Sequence, residues 1–459
     1  MRPRTHENLK IQYLQTMKES FYTYRLEENG YLFLYNAATD QMMALLPQVA
    51  ALYKSAANRP ESLAERHPAL YDSLCSGGFL VADDADEPAA YIASLDERER
   101  ADRSFGIIVN PTLRCNLRCW YCYEKHDHLT DMPQAVREAV CRLVDRVAAD
   151  GRHDRLNLSF FGGEPLLPYA DVVRPILRHT ADVCARHGLT ATYHFTTNAS
   201  LLDDAITDEL AAYGASFQIT LDGNEAVHDR VKHTANGKPT YHTVVSHIRR
   251  ALARGLYVTV RFNYTARFLP SFIDVLADFK DCTEAERRLL SFDFQRVWQD
   301  NAGNPDEVNA RVAEMAARFE EAGFRAGAEP THLTPFCYAD SRNHVVVNYD
   351  GHLFKCTARD FTPERAEGRL LPDGRIETNE RYARRMDVRA GNAACRACRV
   401  FPLCHGGCSQ MKLEYDGSGC LKGYTEERKE EMLRGRLLYV AEKTRDARRR
   451  EKLKETEKS

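Results

Sequence analysis

Cys115-Asn116-Leu117-Arg118-Cys119-Trp120-Tyr121-Cys122-Tyr123-Glu124 places three thiols within eight residues. A loop that short must bring them to one centre. It directly follows an apolar, β-branched run at 105–110. A structural zinc site wants four ligands, and only His126 stands near enough in sequence to be the fourth. An iron–sulfur cube held by three cysteines leaves one iron open to another ligand. The iron–sulfur reading is preferred, with zinc as the alternative.

The surroundings repeat one pattern. Apolar runs at 105–110, 156–161, 191–196, 216–221, 257–263 and 291–297 alternate with helix-period stretches at 132–149, 169–187, 202–213, 241–254 and 271–280. Six such βα repeats predict an α/β domain with a parallel sheet. Right-handed crossovers would curl it into a barrel or partial barrel. Ligands of such sheets sit at the C-terminal ends of the strands, and the informative motifs fall there. Phe161-Gly162-Gly163-Glu164-Pro165 follows the second run, and its paired glycines allow close backbone approach. Thr196-Thr197-Asn198 follows the third. Thr220-Leu221-Asp222-Gly223 and then His228-Asp229 follow the fourth. Arg261-Phe262-Asn263 ends the fifth. Any one of these alone would read as a turn, a cap or a solvated residue. Five in order, each at a strand end, read as one site.

The C-x3-C-x2-C spacing, with Tyr121 before its last cysteine, resembles the signature of the radical S-adenosylmethionine (radical SAM) family. The resemblance implies a partial (β/α)6 barrel and a [4Fe–4S] cluster on Cys115, Cys119 and Cys122. It also implies an open iron that binds the amino and carboxylate groups of SAM. One electron would cleave SAM to methionine and a 5′-deoxyadenosyl radical, which abstracts hydrogen from the substrate. The same resemblance marks Tyr121, Gly162, Gly163, Glu164, Thr197, Asn198, Thr220 and Lys232 as SAM-binding residues. Gly162-Gly163-Glu164-Pro165 resembles the motif that binds the methionyl amine, and Thr197 and Asn198 belong to the ribose-contacting segment. Thr220 stands where serine is usual and keeps the hydroxyl. Lys232 stands where arginine is usual, keeping the charge but not the planar fork.

A second set of cysteines runs Cys337-x13-Gly351-x4-Cys356, then Cys395-x2-Cys398-x5-Cys404-x3-Cys408-x11-Cys420. Four of them could make a zinc ribbon, but seven are awkward for zinc alone. The spacing resembles the SPASM extension of radical SAM enzymes. By that resemblance Cys395, Cys398, Cys404 and Cys420 hold an outer auxiliary cluster, and Cys337, Cys356 and Cys408 an inner one. The chain would then carry three [4Fe–4S] clusters. No further cysteine lies in 338–355, so the inner cluster has an open iron or another ligand. Cys75, Cys141, Cys184 and Cys282 stand alone and read as buried, inert thiols.

The expected organisation is an N-terminal α+β region (1–100), the barrel (101–330), the SPASM segment (331–425) and a charged tail (426–459). In the first region 31–35 reads as a strand, 40–53 and 68–75 as helices, and acidic 83–88 as an exposed connection. A linking helix is expected at about 304–323. The tail carries 12 Lys and Arg against 9 Asp and Glu and reads as a solvated helix. The first twelve residues lack a signal-peptide core, and no apolar run is long enough to span a membrane. A net charge of −3 gives no reason to expect nucleic acid. Fourteen cysteines, mostly in motifs, fit the cytoplasm, where thiols stay reduced.

The family resemblance points to a maturase that oxidatively crosslinks a ribosomally made peptide. Its partners would be a peptide or protein substrate and a reducing donor such as flavodoxin or ferredoxin. Residues 1–100 resemble regions thought to hold a leader peptide, for example along a strand edge; a purely structural lid is the alternative reading. An anaerobic sulfatase maturase, which makes formylglycine, is the second reading. Such enzymes usually carry an aspartate, the proposed base, where this chain has Thr357. A non-catalytic metal-binding protein is the third. No catalytic base is assigned.

Overall fold

The computed structural model describes residues 16–124, 126, 130–327, 337–415 and 418–456, with side chains as far as 445. The expectations for the first twelve residues, for 331–336 and for the last three residues lie outside it. Two compact units form. One takes residues up to 100, residue 337 and those from 385 onward; the other takes 101–327 and 338–384. The cysteine-rich segment is therefore divided between them.

Among the described residues the first unit has five strands: β1 (Met17–Glu19), β2 (Thr23–Glu28), β3 (Tyr31–Asn36), β4 (Gln41–Leu45) and β5 (Leu80–Ala82). β2, β3 and β4 form an antiparallel sheet, and β1 pairs with β5. The longer helices of its N-terminal part are α1 (Pro47–Ser55), α2 (Pro68–Ser76) and α3 (Glu87–Ala101). The expected helix over 40–53 is thus corrected to a strand followed by a helix. Pro47 is the reason: it suits the first helical turn, and Leu46 before it is extended at ψ 155°. Residues 41–45 are left to pair with β3. The acidic connection is shorter than expected, because α3 begins at Glu87. That carboxylate accepts the Phe21 amide at 2.9 Å.

Two apolar clusters hold this unit. Leu34, Leu45, Leu63, Leu74 and Phe79 form one. Tyr22, Tyr35, Tyr91, Phe401, Leu433 and Leu437 form the other. The second corrects the reading of the tail as a solvated helix. Glu426–Thr456 is one helix, but Leu433 and Leu437, four residues apart on one face, are each 1% exposed. Arg436 fixes the same face through a two-pronged contact with Asp40, 2.9 Å from Nε.

The second unit is built on one long sheet. Its strands are β6 (Ser104–Val109), β7 (Arg155–Phe160), β8 (Thr190–Thr197), β9 (Ser216–Leu221), β10 (Tyr257–Tyr264), β11 (Leu290–Arg296) and β12 (Arg325–Ala326). These run parallel, in sequence order. β13 (His344–Val347) adds to the other edge of β6, also parallel, followed by antiparallel β14 (His352–Phe354), β15 (Gly368–Leu370) and β16 (Ile376–Thr378). The crossovers are α4 (Gln134–Ala149), α5 (Arg174–His187), α6 (Asp204–Ala212), α7 (Glu225–Val231), α8 (Tyr241–Ala253) and a 3-10 stretch, Leu269–Asp278. α7 was not expected, and the last stretch was expected as an α-helix. α9 (Pro305–Glu321) is the linking helix. This is the expected radical SAM type of partial barrel.

Alternation along each strand separates two faces. Phe160, Phe195 and Phe217 on successive strands stack with ring centroids 4.9 and 5.7 Å apart and pack among the helices. The intervening residues Ser159, His194, Thr196, Gln218, Thr220 and Arg261 face the other way and line a cavity. The hydrophobic core thus leaves one polar wall for a site.

Of the solitary cysteines, Cys184 and Cys282 are buried as expected. Cys75 and Cys141 are corrected to half-buried. Each is on the margin of an apolar cluster rather than within it.

Candidate active site

The thiol loop leaves the end of β6 and is pinned at both sides. Thr112 bridges Asp131, and Leu117 bridges Thr234. Arg114 grips Asp131 with two hydrogen bonds, at 2.9 and 2.6 Å. Leu113 and Leu117 are buried beneath it. Cys115, Cys119 and Cys122 then line one cavity of about 130 Å³. Three donors address the sulfurs: Leu117 N at 3.5 Å and Asn198 Nδ2 at 3.9 Å from Cys115, and Lys232 Nζ at 3.5 Å from Cys119. His126 Nε2 lies 3.4 Å from the Cys122 sulfur.

Seven of the eight expected SAM-binding residues line this cavity: Tyr121, Gly162, Gly163, Thr197, Asn198, Thr220 and Lys232. Gly163 packs so tightly that a Cβ would come within 2.1 Å of the Arg114 carbonyl oxygen. Glycine there lets the motif after β7 abut the thiol loop. Glu164 is the exception. It is fully buried behind the cavity and accepts from Thr197 Oγ1 at 2.7 Å, Asn198 N at 2.9 Å and Leu166 N at 3.0 Å. Burial pushes its carboxyl up, and those donors counter only part of the shift. Its contacts hold the ends of β7 and β8 together.

A buried network missed in the sequence reading underlies the other side. Tyr121 donates to Asp222 Oδ2 at 2.6 Å and accepts from Asn263 Nδ2 at 3.1 Å. Lys232 Nζ stands 4.0 Å from the same Asp222 oxygen. Asp222 belongs to the motif that ends β9, and its place beside Lys232 depends on α7 folding back. His228 on that helix accepts the Asp222 amide at Nδ1, 3.3 Å away. Burial pushes Cys115 up to about 12. A thiol so held stays protonated until a metal centre displaces the proton.

A larger cavity of about 460 Å³ shares Tyr121, Thr196, Thr220 and Asn263 with the first. Its wall adds loop residues distant in sequence. Tyr123 stacks on Trp298, centroids 5.5 Å apart and planes at 16°. Tyr123 also donates to the Thr357 carbonyl at 2.7 Å, and Tyr338 lies 2.6 Å from Thr357 Oγ1. Gln299 reaches the Tyr121 carbonyl at 2.9 Å. Of these, Trp298, Gln299 and Thr357 lie just beyond strand ends, and Tyr123 and Tyr338 do not.

In the first unit Cys395, Cys398, Cys404 and Cys420 line a cavity of about 120 Å³ with Lys422 and Lys429. Burial pulls the Cys420 thiol upward, but backbone N–H groups of Tyr424, Lys422 and Gly423 hold it below its ordinary value. Among the described residues no three His, Cys, Asp or Glu side chains close on a single metal ion. These thiols ring a space instead. In the second unit Cys356 follows β14, beside Thr357 on the larger cavity. Cys337 and Cys408 are exposed residues of the first unit, and their grouping with Cys356 rests on spacing.

The fold, the thiol loop and the strand-end residues coincide with a known family. Residues 109–266 match the Radical SAM superfamily. The chain therefore contains a Radical SAM domain over those residues. Its radical SAM domain implies SAM and one [4Fe–4S] cluster as cofactors, and the donor set fits both. Three thiols share one cavity, with a cationic and an amide donor at the sulfurs and adjoining glycines in the wall. The chain is 24% identical over 355 residues to a serine-type anaerobic sulfatase-maturating enzyme of Klebsiella pneumoniae, covering 67% of this chain and 82% of the relative. The structure of anSMEcpe with bound AdoMet and Cp18Cys peptide superposes with a TM-score of 0.56 at 17% identity, over 74% of this chain and 99% of that one. Streptococcus suis SuiB bound to precursor peptide SuiA superposes with a TM-score of 0.50 at 15% identity, over 88% and 98%. At those identities the two structures show the shared fold. Among the described residues no helix is long and apolar enough to cross a membrane.

Proposed function

We propose that this radical SAM enzyme is a peptide maturase, which oxidatively crosslinks side chains of a ribosomally made peptide. The observation that carries the reading is the pair of joined cavities. The smaller is lined by the three thiols and the larger has room for a side chain and its flanking backbone. The bound cofactors supply a radical that removes a hydrogen atom from the substrate. Lys232 and Thr220 hold the SAM carboxylate. Thr197, Asn198 and the Gly162–Gly163 backbone hold the rest of SAM. Tyr121, tied to Asp222 and Asn263, separates that site from the substrate.

A crosslinked product requires the substrate to lose a second electron and a proton. Cys395, Cys398, Cys404 and Cys420 hold an outer auxiliary cluster in this account. Cys337, Cys356 and Cys408 hold an inner one, assigned from spacing. Clusters held by these residues would supply an acceptor for that electron. The outer strands β2 and β4 offer an edge for a leader peptide. A reducing cytoplasmic setting, with flavodoxin or ferredoxin as donor, belongs to the same proposal.

Both solved structures named above hold a bound peptide, which supports a peptide substrate. Sulfatase maturation is the second reading, favoured by the Klebsiella pneumoniae relative. Thr357 argues against it, since it presents a hydroxyl hydrogen-bonded to Tyr338 where an acid is usual.

The test is anaerobic turnover of the reduced holoenzyme with SAM and two substrates. One is any short peptide found encoded beside its gene, and the other is a sulfatase-derived peptide. Loss of two hydrogens from the first, with a new side-chain bond in its fragment spectrum, is the expected result. Aldehyde formation on the second alone would replace this reading with the other.

A further inference from the structure

The larger cavity carries a charge that SAM does not require. β10 places Arg261 on its wall, two residues before Asn263. Among the described residues Arg261 makes one hydrogen bond, from Nε to Asn263 Oδ1 at 3.0 Å, and no ion pair, although its charge reaches the buried Asp222 carboxylate beyond ion-pair distance. No aspartate or glutamate among the described residues lines this cavity. Asp293 stands opposite Arg261 in the β10–β11 register, but its two oxygens take Gln295 Nε2 at 2.9 and 3.0 Å.

The other basic groups of the cavity are accounted for. Arg296 is 3.4 Å from Asp300 and donates to the Ala302 carbonyl. His194 is held below its ordinary value by burial, and its Nδ1 meets Ser216 Oγ at 3.0 Å. Lys232 belongs to the smaller cavity, and Arg261 lines only the larger one. The cation facing the substrate space is therefore Arg261. A half-buried guanidinium with unused N–H donors is relieved most by an anion that accepts two of them.

Resting on the peptide-maturase reading, we infer that Arg261 is a specificity-determining residue that binds a carboxylate of the substrate peptide. That carboxylate is an aspartate or glutamate side chain at, or next to, the residue that loses hydrogen.

The experiment uses immobilised, SAM-loaded, full-length holoenzyme under anaerobic conditions. The probe is an equimolar pool of acetylated, amidated hexapeptides with Asp or Asn at one fixed position and matched mixtures elsewhere. Mass spectrometry reads the ratio of retained Asp to Asn peptides. Charge-assisted hydrogen bonding predicts an enrichment of about tenfold on the wild type. Arg261→Gln should abolish the enrichment, and Arg261→Lys should keep part of it. A wild-type ratio of one would overturn the inference, whatever the variants do, and so would an undiminished ratio in Arg261→Gln. Deoxyadenosine formation by the same preparation tests the functional reading separately. Its absence would sink that reading, while the retention ratio still decides this one.

Discussion

Lys232 Nζ donates to Cys119 Sγ at 3.5 Å and stands 4.0 Å from Asp222 Oδ2. One ammonium thus ties the thiol loop after β6 to the end of β9. The lysine is 5% exposed. Burial alone would push it down, but Cys119, Tyr121 and Asp222 hold it well above its ordinary value. It is a permanent buried cation in the smaller cavity. The missing arginine fork matters less than the retained charge.

Replacing Lys232 with methionine keeps length and removes that charge. SAM affinity should fall by about ten- to a hundredfold, the scale of a lost charge-assisted hydrogen bond. Lys232→Arg should stay much closer to wild type. Equilibrium dialysis of SAM against the reconstituted enzyme checks both.

Gly163→Ala should damage the thiol loop itself. Its Cβ would meet the Arg114 carbonyl oxygen at 2.1 Å and the Leu113 oxygen at 2.6 Å, both rigid backbone. The loop must shift, at a cost of about 1–3 kcal/mol. Bound iron per chain should fall along with the melting temperature. Gly188→Ala is the comparison: its φ is +72° but no atom lies within 4 Å of the new Cβ. That change should cost about 1 kcal/mol and leave iron content alone.

His228 makes stability depend on pH. Its Nδ1 accepts a backbone amide, and Nε2 is 3.1 Å from Thr240 Oγ1, an arrangement that suits the neutral ring. Burial lowers it from 6.5 to about 3. Below pH 6.5 the unfolded chain binds the proton and the folded one does not. Stability is therefore full above that pH and falls as pH drops toward 3, by up to about 1.4 kcal/mol per unit. Denaturant midpoints of wild type and His228→Gln at pH 7.5, 6.5 and 5.5 check the sign. The variant should show the shallower fall.

The terminal helix should act as part of the first unit's core. Leu437→Ala removes a fully buried side chain and should cost about 2–5 kcal/mol. Leu438→Ala, at a 49% exposed position next to it, should cost less than about 0.5 kcal/mol. Thermal unfolding of the two variants separates the faces.

The barrel strands were legible because each carries alternating or continuous apolar residues and ends in a distinctive motif. Expected 216–221 is β9 without adjustment, and 191–196 lies inside β8. The thiol loop was legible because spacing alone forces convergence. Elsewhere local pattern misled. The methionines and leucines of 41–46 mimic a helix, but Pro47 sets the true start. The tail's charge hid the buried pair Leu433 and Leu437. Glu164 reads as a ligand-binding acid in a motif, yet its oxygens face three internal donors. The wall made by Tyr123, Trp298 and Thr357 joins residues far apart in the chain and has no local period to betray it. The cysteine-rich segment reads as one stretch, but its strands extend the barrel sheet while its later cysteines pack with the N-terminal residues.

The most direct test is anaerobic iron and sulfide quantitation, with SAM cleavage under dithionite. It compares wild type with a Cys115/Cys119/Cys122→Ala triple variant. Three [4Fe–4S] clusters predict about twelve irons per chain in wild type and about eight in the variant, with deoxyadenosine from wild type only. Zinc at the outer four-cysteine site would contradict the auxiliary redox role. A fully loaded wild type that does not cleave SAM would contradict the enzymatic account itself.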